Sequence, residues 1–570
     1  MDAVVQAAAE RALATYGTEA ERYRAAGEWA GRTIVEVLRG HAARRPTALA
    51  IATVEGALTW EELDLRSDAL ALGLVDAGLE PGDPVVFQMG NELETVVAFY
   101  GVLKAGLVPV CSIPNHRLHE LTSIARATGA RAHIFQADYR TYDLAGLSAE
   151  LADRCPEVGV RIVARGPSSR GARSLDELTR DADPERARKV VDAIQEQVSP
   201  EGVALFQLSG GTTGVPKVIP HTHETYLSVA ARWSRNLGFT EASVNMHFLP
   251  VMHHAGLGTV LVPTHFVGGA VVLARAVDAE LLVGLIERYR VTWMHFNMAA
   301  FRPLVEHTAK VGCDFSSLKH FMWVFVRPQM STWAERMLGA TAIGSFGMGE
   351  GVHLCARPDD PAEIRLHTAG STIGDHDEVV IRRPDSEEPV PDGEVGELTF
   401  RGPSVIRSYL SEEHSAQAFT SDGFLRSGDL GRVETIAGRR VYIVAGRLKD
   451  QISRGGEKVM AAELEYLLHD HPDIREVAAL GAPDPALGER VCVAVVPEPH
   501  SRDADPEELR KRLVEHLDAK HVAKFKWPER LVVVDELPKT GVGKVQKDIL
   551  RSWVEAGSVT GSGSVKGSED

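Results

Sequence analysis

At 570 residues the chain exceeds the size of one ordinary hydrophobic core, so we expect two or more domains. Hydrophobic residues make up 44% and charged residues 25% of the sequence, a balance that excludes a largely disordered chain. The formal net charge of -17 argues against general binding to nucleic acid or to an anionic membrane, because both partners require a basic surface.

The positions of the cysteines and the lengths of the apolar runs exclude further classes of protein. The five cysteines are widely scattered and include no CxxC pair, which fits neither a disulfide framework nor a zinc site. The first residues show no basic segment followed by an apolar run, and no apolar stretch reaches the length of about 18 residues that a membrane span needs. We therefore expect a cytoplasmic enzyme with no membrane partner.

The first half of the chain alternates between helix and strand patterns. Residues 59–79 predict an amphipathic helix, because Thr59 and Glu62 have the spacing of a capping box. A turn then leads into apolar strands at 85–87 and 107–110, separated by a helical stretch. The same alternation returns at 203–208, 259–273 and 281–296. This pattern favours an α/β architecture with two sheets of mostly buried strands.

The last third of the chain changes character twice. Short strands broken by turns across 384–447 predict a β-rich subdomain. After it, the segment 450–555 alternates helix and strand patterns and has the size of a small α+β domain. Residues 556–570 are polar and rich in glycine and serine, so we expect a disordered tail. The predicted organisation is an N-terminal domain at 1–449, a small mobile C-terminal domain at 450–555 and this tail.

A glycine-rich loop follows the apolar strand at 203–206 and is the strongest local signal for chemistry. Backbone N–H groups of such a loop can wrap phosphates, while hydroxyls and a lysine neutralise charge. It is not a Walker A loop, because Pro216 and not glycine precedes Lys217. Judged alone, it also fits a mobile surface turn. Its candidate phosphate ligands are Ser209, Gly210, Gly211, Thr212, Thr213 and Lys217.

Five further motifs follow in order: Gly347-Met348-Gly349-Glu350-Gly351, Arg426-Ser427-Gly428-Asp429, Gly446-Arg447-Leu448-Lys449-Asp450, Arg454-Gly455-Gly456-Glu457-Lys458 and Pro538-Lys539-Thr540-Gly541-Val542-Gly543-Lys544. With these motifs the chain resembles the acyl-AMP-forming superfamily of acyl-CoA synthetases, adenylation domains and luciferases. Within it, the sequence from about Tyr23 to Trp553 is most similar to the free-standing aryl-acid–AMP ligases that load 2,3-dihydroxybenzoate or salicylate. That likeness includes the N-terminal segment 23–29.

The resemblance implies roles for single residues in binding Mg·ATP. The loop at 209–217 would hold the β- and γ-phosphates, with Gly347 lining the nucleotide site. Glu350 would contact Mg²⁺, a hard cation that prefers oxygen ligands. Asp429 would accept hydrogen bonds from the ribose hydroxyls, and Arg447 would lie near the ribose and the α-phosphate. Taken singly, Glu350 also fits a solvated surface residue and Asp429 an ordinary turn.

The small domain would contribute the catalytic lysine. By resemblance, Lys544 bridges the attacking carboxylate and the α-phosphate, two anions that repel until a cation lies between them. Its alternative is a charged residue in a flexible hairpin. Asp450 matches the hinge position at which the small domain rotates after adenylation, so that its other face admits a pantetheine thiol.

The segments that would line the acid pocket depart from the family pattern. Aryl-acid ligases carry an asparagine that contacts the acid where this chain has His254, after His253. They carry a glycine pair along the flat slot where this chain has Phe325, Val326 and Arg327. We expect a smaller or differently shaped pocket, in which His254 or Arg327 meets an extra polar or anionic group on the acid. Metal coordination by the histidines lacks a complete ligand set in the sequence.

These observations predict ATP-dependent activation of an aryl acid to its acyl-AMP, followed by transfer to the pantetheine thiol of a free-standing carrier protein. The altered pocket leaves open a small non-aryl or unusual acid. The acceptor alternatives are coenzyme A and an amine. An ATP-binding module without catalysis is disfavoured, because Lys217, Glu350, Asp429 and Lys544 are all present.

Overall fold

The computed structural model describes residues 3–209, 216–296, 298–323, 328–384, 386–454, 457–485, 487–540, 543–555 and 566–567. The chain divides into two compact units. The first comprises Met1–Val379 and Phe400–Leu425, and the second comprises Val380–Thr399 and Arg426–Asp570. Among the described residues, no helix combines the length and the apolar character needed to cross a bilayer.

The α-helices of the described residues are α1 Ala3–Tyr16, α2 Thr18–Ala25, α3 Ile34–Arg44, α4 Trp60–Asp76, α5 Leu93–Lys104, α6 Leu118–Thr128, α7 Leu144–Arg154, α8 Leu175–Arg180, α9 Pro184–Gln195, α10 His223–Leu237, α11 His254–Gly256, α12 Val262–Phe266, α13 Ala279–Tyr289, α14 Met298–Val311, α15 Pro328–Leu338, α16 Ala362–His367, α17 Glu412–Ala418, α18 Ala461–Leu468, α19 Pro506–Ala519 and α20 Lys547–Glu555. A π-helical turn, Leu257–Leu261, joins α11 to α12. Short 3₁₀ turns lie at Leu448–Asp450, Pro499–Ser501 and Lys524–Lys526.

The strands are β1 Leu49–Ala52, β2 Ala57–Thr59, β3 Pro84–Gln88, β4 Val108–Val110, β5 Ala132–Gln136, β6 Val160–Ala164, β7 Arg173–Ser174, β8 Val203–Ser209, β9 Lys217–Thr222, β10 Val244–His247, β11 Ala270–Leu273, β12 Trp293–Phe296, β13 His320–Trp323, β14 Thr341–Ile343, β15 Ser345–Gly347, β16 His353–Cys355, β17 Ser371–Thr372, β18 Glu378–Arg382, β19 Gly396–Arg401, β20 Leu425–Ile436, β21 Arg439–Arg447, β22 Gln451–Arg454, β23 Glu457–Met460, β24 Ile474–Asp484, β25 Gly488–Pro497, β26 Arg530–Val533 and β27 Lys566–Gly567.

The first unit contains two seven-stranded sheets. One has the order β7-β6-β5-β3-β4-β8-β9 and is parallel except for the antiparallel pair β8 and β9. The other has the order β14-β13-β12-β10-β11-β1-β2 and is parallel except for β2. All five residues of β3 are buried, as expected for parallel strands covered by helices on both faces.

Local sequence explains how the helices of the first unit begin. Thr59 and Glu62 form the predicted capping box at the start of α4, and Thr33 and Glu36 form another at α3. Each box satisfies backbone N–H groups that would otherwise lack a partner at a helix start. A small antiparallel sheet, β15-β16-β17, carries the Gly347–Gly351 motif between its first two strands.

Two further sheets lie mainly in the second unit. Strands β18-β19-β20-β21 form one, and its hairpin β20–β21 is antiparallel. The other has the order β23-β22-β25-β26-β27, with β24 paired to β25. Helices α18 and α19 pack on this sheet around a core that includes Leu464, Leu509 and Leu513. This α+β arrangement is the one that the sequence predicts after Asp450.

The predicted fold class is confirmed: the chain combines two α/β sheets and a β-rich region with a small α+β domain. The domain boundary after residue 449 stays a prediction. The predicted tail, 556–570, lies outside the described residues except for Lys566–Gly567, which pairs with β26.

Candidate active site

The predicted phosphate loop begins and ends on one hairpin. Ser209 is the last residue of β8 and lies opposite Lys217, the first residue of β9. The residues between them, including Gly210, Gly211, Thr212 and Thr213, lie outside the described residues. The hairpin therefore places the hydroxyl of Ser209 and the ammonium of Lys217 on the two strands that flank this loop.

Lys217 and Glu350 meet at a tyrosine that the sequence analysis did not identify. The Nζ atom of Lys217 lies 4.9 Å from the centroid of the Tyr409 ring. The Tyr409 hydroxyl donates a hydrogen bond to Glu350 Oε1 at 2.7 Å. Both Tyr409 and Glu350 are buried. A cation and a carboxylate are therefore held on the face and at the tip of the same aromatic ring.

The turn that carries Glu350 is built around Gly351. Its φ is +86°, and a Cβ atom there would lie 1.9 Å from the Ser404 carbonyl oxygen, so only glycine fits. The Ser404 hydroxyl donates to the Gly351 carbonyl at 2.7 Å, and the Ile406 amide donates to the Glu350 carbonyl at 3.0 Å. The segment 402–406 thus fixes the backbone of Glu350 from two sides.

That segment is held in turn by Arg232 and by the N-terminal segment. Arg232, on α10, is buried and donates hydrogen bonds to Ser404 Oγ and to Asp377. Trp29 Nε1 donates to the Pro403 carbonyl at 2.8 Å. The aryl-acid-like segment 23–29 therefore supports the Glu350 turn indirectly. No motif in the sequence pointed to Arg232, because a single arginine inside a helix has no local signature.

His254 lies beside the same turn, near Gly349, in a group of buried rings. Its Nε2 atom is 3.1 Å from Nε2 of His353, which begins β16. The His221 ring stacks near it at a centroid distance of 6.3 Å, and His221 Nε2 lies 2.7 Å from the Gly349 carbonyl oxygen. Burial lowers the pKa of His353 to about 3 and that of His221 to about 4, so both rings are neutral.

The sequence predicts four other residues at the acid pocket. His253 is the N-terminal cap of α11, where its Nδ1 accepts from the Ala255 amide at 3.2 Å. Phe325, Val326 and Arg327 lie outside the described residues, so their predicted contact with the acid stays a prediction. The structure does bring His254 next to the Glu350 turn, through Gly349 and His221.

In the second unit, Asp429 and Arg447 face each other across the β20–β21 hairpin. Arg447 Nε lies 3.6 Å from Asp429 Oδ1, and Asp429 is buried while Arg447 is half exposed. The Asp429 amide also donates to Ser427 Oγ at 3.0 Å. A buried carboxylate beside a guanidinium suits recognition of a diol and an adjacent phosphate.

Lys544 lies on an exposed hairpin and is close in sequence to two other lysines, Lys539 and Lys547. Its amide donates to Thr540 Oγ1 at 3.2 Å, and its carbonyl accepts from the Thr540 amide at 2.8 Å. Lys539 is ion-paired with Glu476 and Lys547 with Glu465, each at 2.6 Å. Lys539 and Lys547 thus form ion pairs with other residues of the small domain.

Asp450 ends a 3₁₀ turn directly after β21. Arg551 lies 3.3 Å from its carboxylate and also donates to the Lys449 carbonyl at 3.2 Å. The contact ties this turn to α20. A short irregular turn between two sheets is a suitable place for a backbone rotation, and the hinge role stays a prediction.

Comparison with known proteins gives matches along nearly the whole chain. The family of AMP-binding enzymes matches residues 38–410, and the C-terminal domain of AMP-binding enzymes matches residues 463–544. A Streptomyces salicylyl-CoA synthase / salicylate adenylyltransferase is 37% identical over 94% of this chain and 96% of its own length. The 2,3-dihydroxybenzoate-AMP ligase of Bacillus subtilis is 34% identical over 94% of this chain and 96% of its own. The apo structure of Mycobacterium smegmatis MbtA, 32% identical, superposes with a TM-score of 0.69 over 93% of this chain and 97% of that one.

Proposed function

The chain belongs to the AMP-binding enzyme family, and we propose that it activates an aryl carboxylic acid as its acyl-AMP and passes the acyl group to a pantetheine thiol. The observation that carries the proposal is the Lys217–Tyr409–Glu350 group at the end of the phosphate loop. It provides a cation for leaving phosphates and an oxygen ligand for a metal. Similarity to relatives named for salicylate and 2,3-dihydroxybenzoate supports the aryl acid.

In the first half-reaction a carboxylate oxygen of the acid attacks the α-phosphorus of ATP. A carboxyl–phosphate bond forms while the bond between the α-phosphorus and the bridging oxygen breaks, and pyrophosphate leaves with that electron pair. Lys217 and the donors of the 209–217 loop would stabilise the charge that develops on pyrophosphate. Lys544 would neutralise the repulsion between the two reacting anions.

Mg²⁺ fits the residues at this site. The Glu350 carboxylate is buried, and Tyr409 supplies a hydrogen bond that holds one oxygen in place. Among the described residues, no group of three or more histidine, cysteine, aspartate or glutamate side chains is arranged to hold a metal by itself. Glu350 would therefore hold the ion together with phosphate oxygens and water, as is usual for Mg²⁺. The bound ion would supply charge neutralisation on the phosphates.

Asp429 and Arg447 suit the nucleoside end of ATP. A buried carboxylate accepts strongly from two neighbouring hydroxyls, and the ribose presents such a pair. Arg447, 3.6 Å from this carboxylate, would lie towards the α-phosphate. Rotation at Asp450 would then exchange the Lys544 face of the small domain for the face that admits the thiol.

In the second half-reaction the thiol sulfur attacks the acyl carbon and forms a thioester. The bond between the acyl carbon and the phosphate oxygen breaks, AMP leaves with that electron pair, and the thiol proton is released to water. We favour a free-standing carrier protein as the thiol source. Coenzyme A is the second candidate, because a relative that is 37% identical carries both a CoA-synthase and an adenylyltransferase name.

The deciding experiment is acid-dependent ATP–pyrophosphate exchange across hydroxybenzoates, aminobenzoates, picolinates, cinnamates, and small aliphatic and dicarboxylic acids. Exchange with one or a few aryl acids supports the proposal. Exchange with non-aryl acids alone would overturn the aryl assignment but not the adenylation. Loading of a phosphopantetheinylated carrier, followed by intact-protein mass spectrometry beside a coenzyme A reaction, then identifies the acceptor.

A further inference from the structure

The side-chain amide of Asn91 joins the two seven-stranded sheets of the first unit. Asn91 is buried and follows the end of β3 in the first sheet. Its Nδ2 atom donates to the Leu249 carbonyl at 2.8 Å and to the Ala274 carbonyl at 3.0 Å. Its Oδ1 atom accepts from the Val251 amide at 2.9 Å. One side chain of the first sheet therefore pairs three backbone groups that follow strands β10 and β11 of the second sheet.

The three partners of Asn91 match an asparagine amide in both shape and hydrogen-bonding character. A backbone N–H can only donate and a carbonyl can only accept, so these partners fix the direction in which the amide points. An aspartate would place a carboxylate oxygen against two carbonyl oxygens and could donate to neither. A leucine would leave the Val251 amide and both carbonyls without this partner in a buried place. The contact therefore depends on the amide itself.

The backbone that carries Asn91 is fixed on both sides of Gly90. The Gly90 amide donates to Gln136 Oε1 at 2.9 Å, and the Thr95 hydroxyl donates to the Gly90 carbonyl at 2.7 Å. Gln136 ends β5, and Thr95 lies in the first turn of α5. Both elements belong to the first sheet and its covering helices. Asn91 is therefore presented from a rigid support, as a side chain that positions another segment requires.

The segment that Asn91 contacts, 249–254, leaves the second sheet at the place where a ligand is expected. Strand β10 lies between β11 and β12, and the chain passes from β10 to β11 and then crosses to β12. Strand β3 lies in the same way between β4 and β5. In open α/β sheets, ligands bind outside the carboxyl ends of the strands at such reversals of strand order. The topology alone therefore places Asn91 and segment 249–254 at a ligand crevice.

A second contact makes segment 249–254 sensitive to the position of Val251. A Cβ atom at Gly256 would lie 2.6 Å from both the Cα atom and the carbonyl oxygen of Val251, so the start of α11 packs directly on this backbone. The His253 amide donates to the Pro250 carbonyl at 3.0 Å and closes the turn. Val251 is thus held by Asn91 at its amide and by Gly256 at its Cα atom. A shift of Val251 would move the residues of α11 that follow it.

We propose that Asn91 is a positioning residue for the acid site, which sets KM for the acid and the choice between acids by fixing segment 249–254. The proposal rests on the proposed adenylation of an acid and names a residue that controls its selectivity without touching the substrate. The three side-chain hydrogen bonds of Asn91 go to Leu249, Val251 and Ala274 and not to the Lys217–Tyr409–Glu350 group. Loss of Asn91 therefore affects binding of the acid and spares binding of ATP.

The test measures pyrophosphate exchange by the wild type and two variants, with the most active acid of the panel and ATP varied in turn. Asn91→Ala removes all three hydrogen bonds, and Asn91→Ser keeps one hydroxyl and is the milder change. We expect KM for the acid to rise by about tenfold in Asn91→Ala and by less in Asn91→Ser, while KM for ATP stays within about twofold. The ratio of kcat/KM between the most and the least active acid should fall by about fivefold, because a loosened segment discriminates less.

Asn245→Ala is the matched control for these variants. Asn245 is also a buried asparagine, but it lies within β10 and pairs with Thr264 at 2.9 Å and with Thr292 at 3.4 Å. We expect Asn245→Ala to lower the melting temperature about as much as Asn91→Ala and to leave KM for the acid unchanged. Hydrogen–deuterium exchange gives a readout without turnover: peptides that cover 249–257 should exchange faster in Asn91→Ala than in Asn245→Ala.

The outcomes separate this proposal from the one on which it rests. An equal rise of KM for the acid in Asn91→Ala and Asn245→Ala would show a general loss of stability and overturn the role of Asn91. An equal rise of KM for acid and ATP, or unchanged selectivity between acids, would overturn it as well. If only aliphatic acids are active, the same measurements with the best of them decide the role of Asn91, and the aryl assignment alone fails. If no acid supports exchange in the wild type, the proposed function fails and this inference fails with it.

Discussion

The Tyr409 hydroxyl donates a hydrogen bond to Glu350 Oε1 at 2.7 Å, and both residues are buried in the first unit. Burial and the neighbouring Glu350 carboxylate raise the pKa of Tyr409 far above its usual range, so its hydroxyl stays protonated. A fixed donor on one carboxylate oxygen orients the other lone pairs. Tyr409 is therefore suited to hold Glu350 in the position that the proposed metal–phosphate complex would require.

Tyr409→Phe tests this role because it removes the hydroxyl and keeps the ring beneath Lys217. We expect about a tenfold fall in kcat/KM for ATP, as the loss of a charge-assisted hydrogen bond would produce. The Mg²⁺ concentration for half-maximal exchange should rise as well. Both quantities come from pyrophosphate exchange with ATP and Mg²⁺ varied in turn.

Tyr289→Phe is the matched control for that variant. Tyr289 is half-buried and donates its hydroxyl proton to the Thr53 carbonyl at 3.3 Å. Its loss should leave the Mg²⁺ requirement unchanged. If Tyr409→Phe also leaves the Mg²⁺ requirement unchanged while ATP affinity is normal, then Tyr409 does not act through Glu350 as the proposed metal ligand.

Lys544→Ala should separate the two half-reactions. Acyl-AMP formation should fall by about 10²- to 10³-fold, because the variant lacks the cation that we propose lies between the two reacting anions. Transfer from preformed acyl-AMP to a thiol should change much less. Single-turnover assays of each half-reaction would measure both effects.

Lys539→Ala provides the comparison for Lys544, since Lys539 lies on the same hairpin and its ammonium is ion-paired with Glu476 at 2.6 Å. We expect this variant to adenylate at nearly the wild-type rate. Equal losses in both half-reactions of Lys544→Ala would contradict its assigned role and would indicate damage to the small domain.

Local sequence patterns predict the elements of this fold better than they predict its site. The helix that begins at Thr59 and the strand at 85–87 appear where capping and apolar patterns place them, at α4 and β3. Both depend on short-range physics: a cap satisfies nearby N–H groups, and a buried parallel strand needs a continuous apolar run.

The site residues that the sequence did not indicate are placed by contacts between segments that are far apart in the chain. Tyr409 lies 59 positions from Glu350, and Arg232 lies 172 positions from Ser404, so no local motif reports either contact. His254 was identified only as a departure from the family pattern. Its partner His353, 99 positions away, becomes visible only when β16 folds next to α11.

A buried ion cluster in the first unit is expected to be critical for stability. Lys104 is fully buried and donates to Asp64 and to Asp68, the latter at 2.7 Å. Burial alone would raise the pKa of Asp64, but Lys104 and Arg188 lower it below its ordinary value. Lys104→Met would leave two buried carboxylates without their main partner.

We expect Lys104→Met to lower the free energy of unfolding by about 3–5 kcal/mol, the usual cost of breaking a buried pair on one side. Chemical denaturation would measure it. Arg186→Met is the control, because Arg186 pairs with Asp76 on the surface, and its removal should leave stability almost unchanged. If both variants change the free energy of unfolding by a similarly small amount, then Asp64 and Asp68 must find other partners or water when Lys104 is removed.

Glu92 gives the first unit a pH-dependent stability term. Burial raises its pKa to about 7; Arg165 opposes this, while the carboxylates of Glu55, Glu94 and Asp138 add to it. Below pH 4.5, the ordinary value, the folded and unfolded states both hold the proton. Between pH 4.5 and 7 the unfolded chain has released the proton while the folded chain still holds it, so the free energy of unfolding falls as pH rises. Above pH 7 both states are ionised, and this loss of stability no longer changes with pH.

Glu92→Gln removes this term while preserving the shape of the side chain and its contact with Gln136. The variant and the wild type should melt at similar temperatures near pH 4.5, and the variant should become progressively more stable than the wild type up to about pH 7. Glu61→Gln, at an exposed position on α4, should show no such divergence. Parallel melting curves for Glu92→Gln and wild type across this pH range would mean that Glu92 ionises normally in the folded chain, held by Arg165 at 3.9 Å.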